Sequence, residues 1–400
     1  MNEAVIVSAV RTPHGRRNGQ LSGWHPTELA AEVLNAVVDR AAVDPSVVED
    51  VYLGCVSQVG AQAFNIARNA VLAAGFPESV PGTTIDRQCG SSQQALHFAV
   101  QAVMSGTADA IIAAGVESMS VVPMFSSGEP NLGDPQGDLL RARYAHRETF
   151  GEMGLISQGL SAELIANRWD LSRGELEEFA LRSQELARSA RDHGAFDEEI
   201  VPVTSMVRDP ATGRVTTGPV VHTDEGIRNT TLDALASLAP VFLPDGRLTA
   251  GTSSQIADGA SAVLVMSATA ADRLGVEALA RVRHLAAVGS DPVEMLTGPM
   301  PATDKLLERA GLKVDDVDLF EVNEAFASVV LAWQHETGAR TDRINVNGGA
   351  IALGHPLGAS GTRITATLVH EMRRRDARTG VQVMCEGGGM ANAMLVELAT

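Results

Sequence analysis

Cys89 lies in the run Arg87-Gln88-Cys89-Gly90-Ser91-Ser92-Gln93-Gln94-Ala95-Leu96, after a Pro81-Gly82 turn and a short strand and just ahead of an apolar stretch, ALHFAVQAVMSG. That order predicts a cysteine at a helix N-terminus, where the dipole and free N–H groups favour thiolate and lower the thiol pKa. The same N–H groups could hold an oxyanion. The opposing reading is an inert buried thiol, the commonest fate of a free cysteine. His355 stands between Gly354 and Pro356 in NVNGGAIALGHPLGASGTR, residues 345–363. A histidine on so rigid a turn could act as base to a nearby thiol. By itself the glycine-rich tract could equally cradle a phosphate or turn the chain. It has no Walker lysine and does not match the dinucleotide glycine spacing. Cys385 precedes three glycines in Cys385-Glu386-Gly387-Gly388-Gly389 at the end of the strand candidate VQVM. It reads either as a ligand-facing thiol or as a strand-end structural residue. Cys55, after VYLG, reads as buried and structural.

The elements that must position these residues come as a repeat. Residues 36–54 (AVVDRAAVDPSVVEDVYLG) and 305–320 (KLLERAGLKVDDVDLF) both run helix, short turn, strand. Each follows an apolar strand candidate, 4–10 or 280–288, and each leads through a helical stretch to a Gly-rich turn holding Cys89 or His355. Each half ends in a strand running into a loop, at 108–119 and 380–390. The order strand–helix–strand–helix–strand therefore occurs twice, which predicts an α/β protein of βαβ units with buried, mainly parallel strands. Between the halves, 120–249 differs: an irregular opening, helices at 158–168 and about 172–193, and turn-rich sequence after them. Ser172 with Glu175 has the capping-box spacing. The boundaries follow as 1–119 plus 250–274 for the first half, 120–249 for an insertion, and 275–400 for the second half.

Composition narrows the function classes. A net charge of −18 argues against nucleic acid as partner, although a local arginine or helix N-terminus can still hold a phosphate. The three cysteines are odd in number and far apart, which predicts no disulfide framework and a reducing compartment. The N-terminal apolar run is too short for a signal peptide, no run reaches membrane-spanning length, and the end VELAT carries no peroxisomal address. A cytoplasmic protein without membrane contact is the expectation. No metal-ligand cluster of common spacing is visible.

Taken together, the motifs resemble the thiolase family over nearly the whole chain. They are VRTPHGR, RQCGSSQQA, AGVESMS at 114–120, TAGTSSQIADGA at 249–260, EVNEAFA at 321–327, NVNGGAIALGHPLGASGTR and CEGGG, in the family's order. The resemblance implies a five-layered αβαβα fold of two pseudo-repeated halves with an inserted loop domain. It implies an acyl-CoA acyltransferase of the degradative 3-ketoacyl-CoA thiolase type, cleaving 3-ketoacyl-CoA with CoA by a ping-pong route. Cys89 would be the acylated nucleophile, His355 its base and Cys385 the second acid/base. Asn323 would hold a water that, with His355, polarises the enolate oxygen, and the N–H groups of Cys89 and Gly387 would form the other oxyanion hole. Ser254, Arg228, Phe242, Met295 and Phe326 match positions around CoA and the acyl chain; for the apolar three, plain core packing is an equal alternative, and Arg228 reads equally as a solvated surface charge. The partners implied are acyl-CoA and CoA, the latter as substrate, with no metal or redox cofactor, and a homodimer or homotetramer.

The sequence departs from the family pattern at several positions. Ser157-Gln158-Gly159 stands where acetoacetyl-forming thiolases have His-Met-Gly, Gly90-Ser91-Ser92-Gln93 replaces the commoner Ala-Ser-Gly-Leu, Thr252 and Gln255 replace residues usually Asn and Gly, and Ala391 replaces a frequent Gly. The Cys89-Gly90-Ser91 and Thr252-Ser253-Ser254-Gln255-Ile256 variants are similar to degradative thiolases that take long or bulky acyl chains, steroid side chains included. Two rivals are a decarboxylating ketoacyl synthase, which lacks a second acid/base cysteine, and a non-catalytic acyl-CoA carrier of the same fold. A nicotinamide enzyme is disfavoured by the missing fingerprint.

Overall fold

The structure is a computed structural model, which describes residues 2–399. Its main strands are β1 (Ala4–Arg11), β2 (Asp50–Gly54), β3 (Thr83–Ile85), β4 (Ala110–Ser118), β5 (Ala257–Ser267), β6 (Ala280–Gly289), β7 (Leu319–Val322), β8 (Thr379–Glu386) and β9 (Met390–Leu398). β1, β4 and β5 are buried at every position, as strands covered on both faces must be. Hydrogen bonds join the strands in the order β7-β8-β9-β6-β1-β5-β4-β2-β3. The halves meet where β1 pairs with β6, over Val5–Arg281 and Ile6–Ala280.

Strand direction differs from the sequence expectation. Among these pairs only β2–β3, β2–β4 and β7–β8 are parallel. The pairs through β1, β5, β6 and β9 are antiparallel. The cause is the connections. A helix crossover returns a strand parallel, but β8 reaches β9 through the glycine turn after Glu386, too short for anything except antiparallel pairing.

The helices that frame the sheet are α1 (Pro26–Arg40), α2 (Ile66–Ala73), α3 (Ser91–Ser105), α4 (Gln158–Arg168), α5 (Arg173–Asp192), α6 (Pro299–Ala310), α7 (Ala327–Thr337) and α8 (Ser360–Arg375). Three apolar cores separate the layers. The outermost on one side joins Leu29, Val33 and Val37 of α1 and Ile66 of α2 to β1, β2, β4 and β5. The central one joins Leu96 and Val100 of α3 and Leu368 and Met372 of α8 to strands of both halves. On the far side Leu306 of α6 and Val329 and Trp333 of α7 cover β7, β8 and β9, together with α4 and α5. The succession is αβαβα. The α3–α8 crossing is close because Gly361 carries no side chain; a methyl there would overlap the backbone of Gln93.

Short 3-10 turns at Pro45–Val47 and Val314–Asp316 precede β2 and β7, the second round of the same succession. The segment between β4 and β5 carries α4, α5 and a hairpin of Val203–Arg208 with Val215–Val221. The capping box forms, with Ser172 accepting from Glu175 N and Glu175 from Ser172 N. Among the described residues no helix is long and apolar enough to cross a membrane.

Candidate active site

Three chain segments deliver the site. The first is the turn before α3. Asp86 accepts from Gln88 N at 2.7 Å, and Ser91 Oγ donates to Gln88 O at 2.6 Å while accepting from Arg87 N at 2.9 Å. This lattice holds Gln88 at φ 49°, a left-handed conformation costing about 1–2 kcal/mol in a residue with a Cβ. The strain aims Cys89 inward at the foot of α3, where Met384, Ile364 and Leu357 surround it.

The sulfur does not have the lowered pKa that its helix position predicts. Burial pushes the Cys89 thiol up to about 12, and nearby Glu386 adds to the rise. The N–H groups of Cys89 and Gly387 and the side chain of Gln158 act in the opposite direction, favouring thiolate, without overcoming the loss of water. The resting group is a thiol, so a base must take its proton as it attacks.

The second segment supplies that base. Gly354, at φ 93°, turns the chain after a short helix, and His355 N donates to Gln255 O at 2.9 Å. The His355 ring is buried, and burial followed by the charge of Arg363 lowers its pKa to about 3, so the imidazole is neutral. Its tautomer follows from Ser360. The Ser360 hydroxyl donates to Pro356 O at 2.9 Å and must therefore accept from His355 Nδ1, 2.5 Å away. Nε2 keeps the lone pair and lies 3.5 Å from Asn323 Nδ2.

The third segment is the pair of strand ends β7 and β8. Asn345, in the NVNGG tract, accepts from Val322 N at 2.8 Å and donates to Val322 O at 2.9 Å, which fixes Asn323 beside it. Asn323 N donates to Val383 O at 3.0 Å. Its side chain bonds Cys385, and its Oδ1 has no partner among the described residues. Cys385 is buried; desolvation raises its pKa, and so does the neighbouring Cys89. The two sulfurs thus feel each other across the site.

Cys89 and His355 line one cavity of about 340 Å³, with Met119, Met124, Phe125, Phe326 and Leu357 among its apolar walls. A second cavity of about 590 Å³ adjoins it, sharing Phe242, Ser253, Ser254, Gln255 and Ile256 and bearing Arg16, Arg17 and Arg228. Of the expected substrate contacts, Ser254 and Phe242 line both cavities, Phe326 the inner and Arg228 the outer. Phe242 and Phe326 meet edge to face at 5.7 Å. Met295 lies in the core that includes Phe326 and lines neither cavity. Gln255 ties the two loops together: it donates to Gly226 O and Ile351 O and accepts from Arg228 at 3.1 Å. Cys55 is fully buried, and burial raises its thiol pKa. No group of three or more His, Cys, Asp or Glu side chains that could hold a metal occurs among the described residues.

Sequence reasoning missed the placement of Ser360, Gln158 and Glu386 at this centre. For Ser360 the signal was available, a hydroxyl one turn beyond His355 in Gly-His-Pro-Leu-Gly-Ala-Ser. For Glu386 there was none, since burial of a carboxyl is not written in its neighbours.

Comparison with known proteins gives one consistent result. Residues 4–269 match the thiolase N-terminal domain and residues 276–398 the thiolase C-terminal domain. The steroid 3-ketoacyl-CoA thiolase FadA6 of Mycobacterium tuberculosis is 48% identical over 400 residues, covering 99% of this chain and 94% of that protein. The crystal structure of human mitochondrial 3-ketoacyl-CoA thiolase superimposes with a TM-score of 0.88 at 36% identity, covering 100% of this chain and 99% of that one. The Bacillus anthracis acetyl-CoA acetyltransferase does so at 0.87 and 37%, with the same coverage.

Proposed function

Because the chain belongs to the thiolase family, we propose that it catalyses thiolytic cleavage of 3-ketoacyl-CoA to acetyl-CoA and a shortened acyl-CoA through an acyl-Cys89 intermediate. The observation that carries the reading is the shared cavity of Cys89 and His355, with Asn323 and Cys385 directly behind. Neither the carrier nor the decarboxylating alternative is favoured by relatives named as thiolases and acetyltransferases.

The chemistry balances with these groups alone. Cys89 Sγ attacks the 3-keto carbon as its proton passes to His355 Nε2. The alkoxide collapses, the C2–C3 bond breaks, and the acyl group stays on sulfur as a thioester. The electron pair left on C2 forms the enolate of acetyl-CoA, which takes its proton from Cys385. A second CoA then gives its proton to the Cys385 thiolate and attacks the thioester, and Cys89 leaves with the proton held on His355. Negative charge develops on oxygen at two places. The N–H groups of Cys89 and Gly387 serve the tetrahedral oxyanion, and His355 with an Asn323-held water serves the enolate. One such donor contributes on the order of 10²–10³ in rate. CoA is a substrate here, and no metal or redox group enters the scheme.

The outer cavity suits the nucleotide end of CoA. Arg16, Arg17 and Arg228 line it on a chain of net charge −18, and Ser254 and Phe242 flank the passage inward. The apolar inner cavity supports an acyl chain longer than acetyl, including a bulky sterol-derived one, in a β-oxidation step. The working species would be a cytoplasmic homodimer or homotetramer. Phe64 is 94% exposed, and β3 offers an unpaired edge for another copy.

The test is an acyl-CoA incubation followed by peptide mass mapping, with thiolysis assayed from acetoacetyl-CoA to long-chain and sterol-derived substrates. Acylation on Cys89 is expected, with turnover abolished in Cys89→Ala and retained in Cys55→Ala. Equal loss in both variants, or an adduct elsewhere, would overturn the site. Sedimentation giving only a monomer would remove the oligomer.

A further inference from the structure

Glu386 lies beside the sulfur and takes no part in that scheme. It is fully buried, and neither carboxyl oxygen has a hydrogen-bond partner among the described residues. It follows Cys385 on β8, so the pleat sends the two side chains to opposite faces. The Glu386 face looks onto the foot of α3. A methyl built on Gly90 would overlap Glu386 Oε1 and press on Asn392 Nδ2, so the carboxyl rests against the residue next to the nucleophile. Asn392, also buried, donates to Gly90 O at 3.3 Å and does not satisfy the carboxyl.

A carboxylate without water or a donor is far more costly than the neutral acid. Burial pushes the Glu386 carboxyl up to about 8, with Arg87 opposing the rise and Asp86 adding to it. Ionised Glu386 in turn raises the pKa of Cys89, after burial, and that of Cys385. The charged or titratable groups that act on this spot are Asp86 and Arg87 on the turn before α3 and the two cysteines; His97, further along α3, is a neutral ring that also feels Arg87.

We propose that Glu386 is a positioning residue of the acyl-transfer reaction, a carboxylic acid that keeps its proton beneath Cys89 so that the sulfur develops its charge with no second anion beside it. Gly90 is the other half of the device, since only a residue without Cβ leaves room for the carboxyl. The inference rests on the reading of Cys89 as nucleophile. While Glu386 is protonated, proton transfer from Cys89 to His355 meets no like charge. Once alkaline pH removes that proton, the transfer slows, because the new anion opposes the developing thiolate.

The experiment is the pre-steady-state rate of Cys89 acylation by acetyl-CoA in the full-length protein from pH 6 to 9.5. Wild type is expected to be flat up to about pH 8 and to fall above it as Glu386 ionises, whereas Glu386→Gln, similar in size and unable to ionise, stays flat across the range. The ratio of rates at pH 9 and pH 7 should be about tenfold larger in the variant. Glu386→Met, also uncharged, carries the same comparison if the glutamine protein folds poorly. A merely structural glutamate would scale both rates together. Ratios within twofold of wild type in the folded variants would overturn the proposal. Wild type acylated elsewhere, or not at all, would sink the Cys89 reading instead, and mapping distinguishes the two before any variant is compared.

Discussion

The basicity of His355 depends on a hydroxyl five residues downstream. Ser360 Oγ accepts from Nδ1, which leaves Nε2 as the proton acceptor beside Asn323. Alanine at 360 removes that constraint, and the ring can adopt the other tautomer with a proton on Nε2 and no lone pair toward the thiol. General-base assistance is worth ~10²–10⁴ in rate, and a ring that is correctly disposed only part of the time forfeits a fraction of it. Ser360→Ala is therefore expected to lower kcat by roughly 10- to 100-fold with KM changed little, because Ser360 lies outside both cavities. Ser360→Thr, which keeps the hydroxyl, should restore most of the loss. Steady-state thiolysis measures both, and a Ser360→Ala enzyme with undiminished kcat would mean that the tautomer is fixed by something else.

α3 shows at the scale of an element why a buried polar residue makes stability depend on pH. The helix is buried between the two halves, yet it carries Gln93, Gln94 and His97 with atoms that lack hydrogen-bond partners among the described residues. Burial, then the charge of Arg87, lowers the His97 pKa to about 3. The unfolded chain binds a proton at this residue below about pH 6.5, and the folded protein does not. Its contribution is therefore present above pH 6.5 and is lost as pH falls toward 3. His97→Leu removes the proton-binding site, so its stability relative to wild type should improve by about 1.4 kcal/mol for each pH unit below 6. Urea unfolding at pH 7, 6 and 5 reads this; a gap that stays constant would show that the folded ring is protonated. The place of α3 was legible from the apolar run after Cys89, as were the doubled succession of strands and helices and the capping box at Ser172. Strand direction was not. An unbroken apolar run says that both faces are covered, while the length of the connection chooses the partner, as the glycine turn between β8 and β9 does. At the site, glycine-flanked motifs exposed Cys89, His355 and Cys385. Glu386 and Gln158 stayed hidden because their roles arise only where β8, α3 and the insertion meet.

The whole molecule works as three docked parts, and the dependence of the site on that docking can be measured. Cys89 comes from the first half, His355, Asn323 and Cys385 from the second, and Gln158 and Phe242 from the insertion. Arg11, at the end of β1, holds the insertion in place. It is fully buried, donates to Glu199 at 2.6 Å and to both oxygens of Asp224 at 2.7 and 2.9 Å, and stacks over Phe196. Arg11 N also donates to Glu199 O and Arg11 O accepts from Val201 N, so backbone and side chain grip the same segment. Thr367 of α8 donates to Glu199 as well, at 3.1 Å, which brings the second half into the cluster. Burial pushes Asp224 toward a higher pKa, but the adjacent guanidinium outweighs it and keeps the carboxylate ionised. Such a cluster offsets its own desolvation only while it is complete. Arg11→Ala takes from two buried carboxylates, Glu199 and Asp224, the one guanidinium that hydrogen-bonds both, and removing one partner of a buried pair costs about 3–5 kcal/mol. The variant should unfold in urea with that loss of stability. Because the insertion walls both cavities, its KM for acyl-CoA should rise even where the fold survives. If Arg11→Ala matched wild type in stability to within about 1 kcal/mol and in KM, the buried ions would be bystanders, and the docking of the insertion would have to rest on its apolar contacts alone.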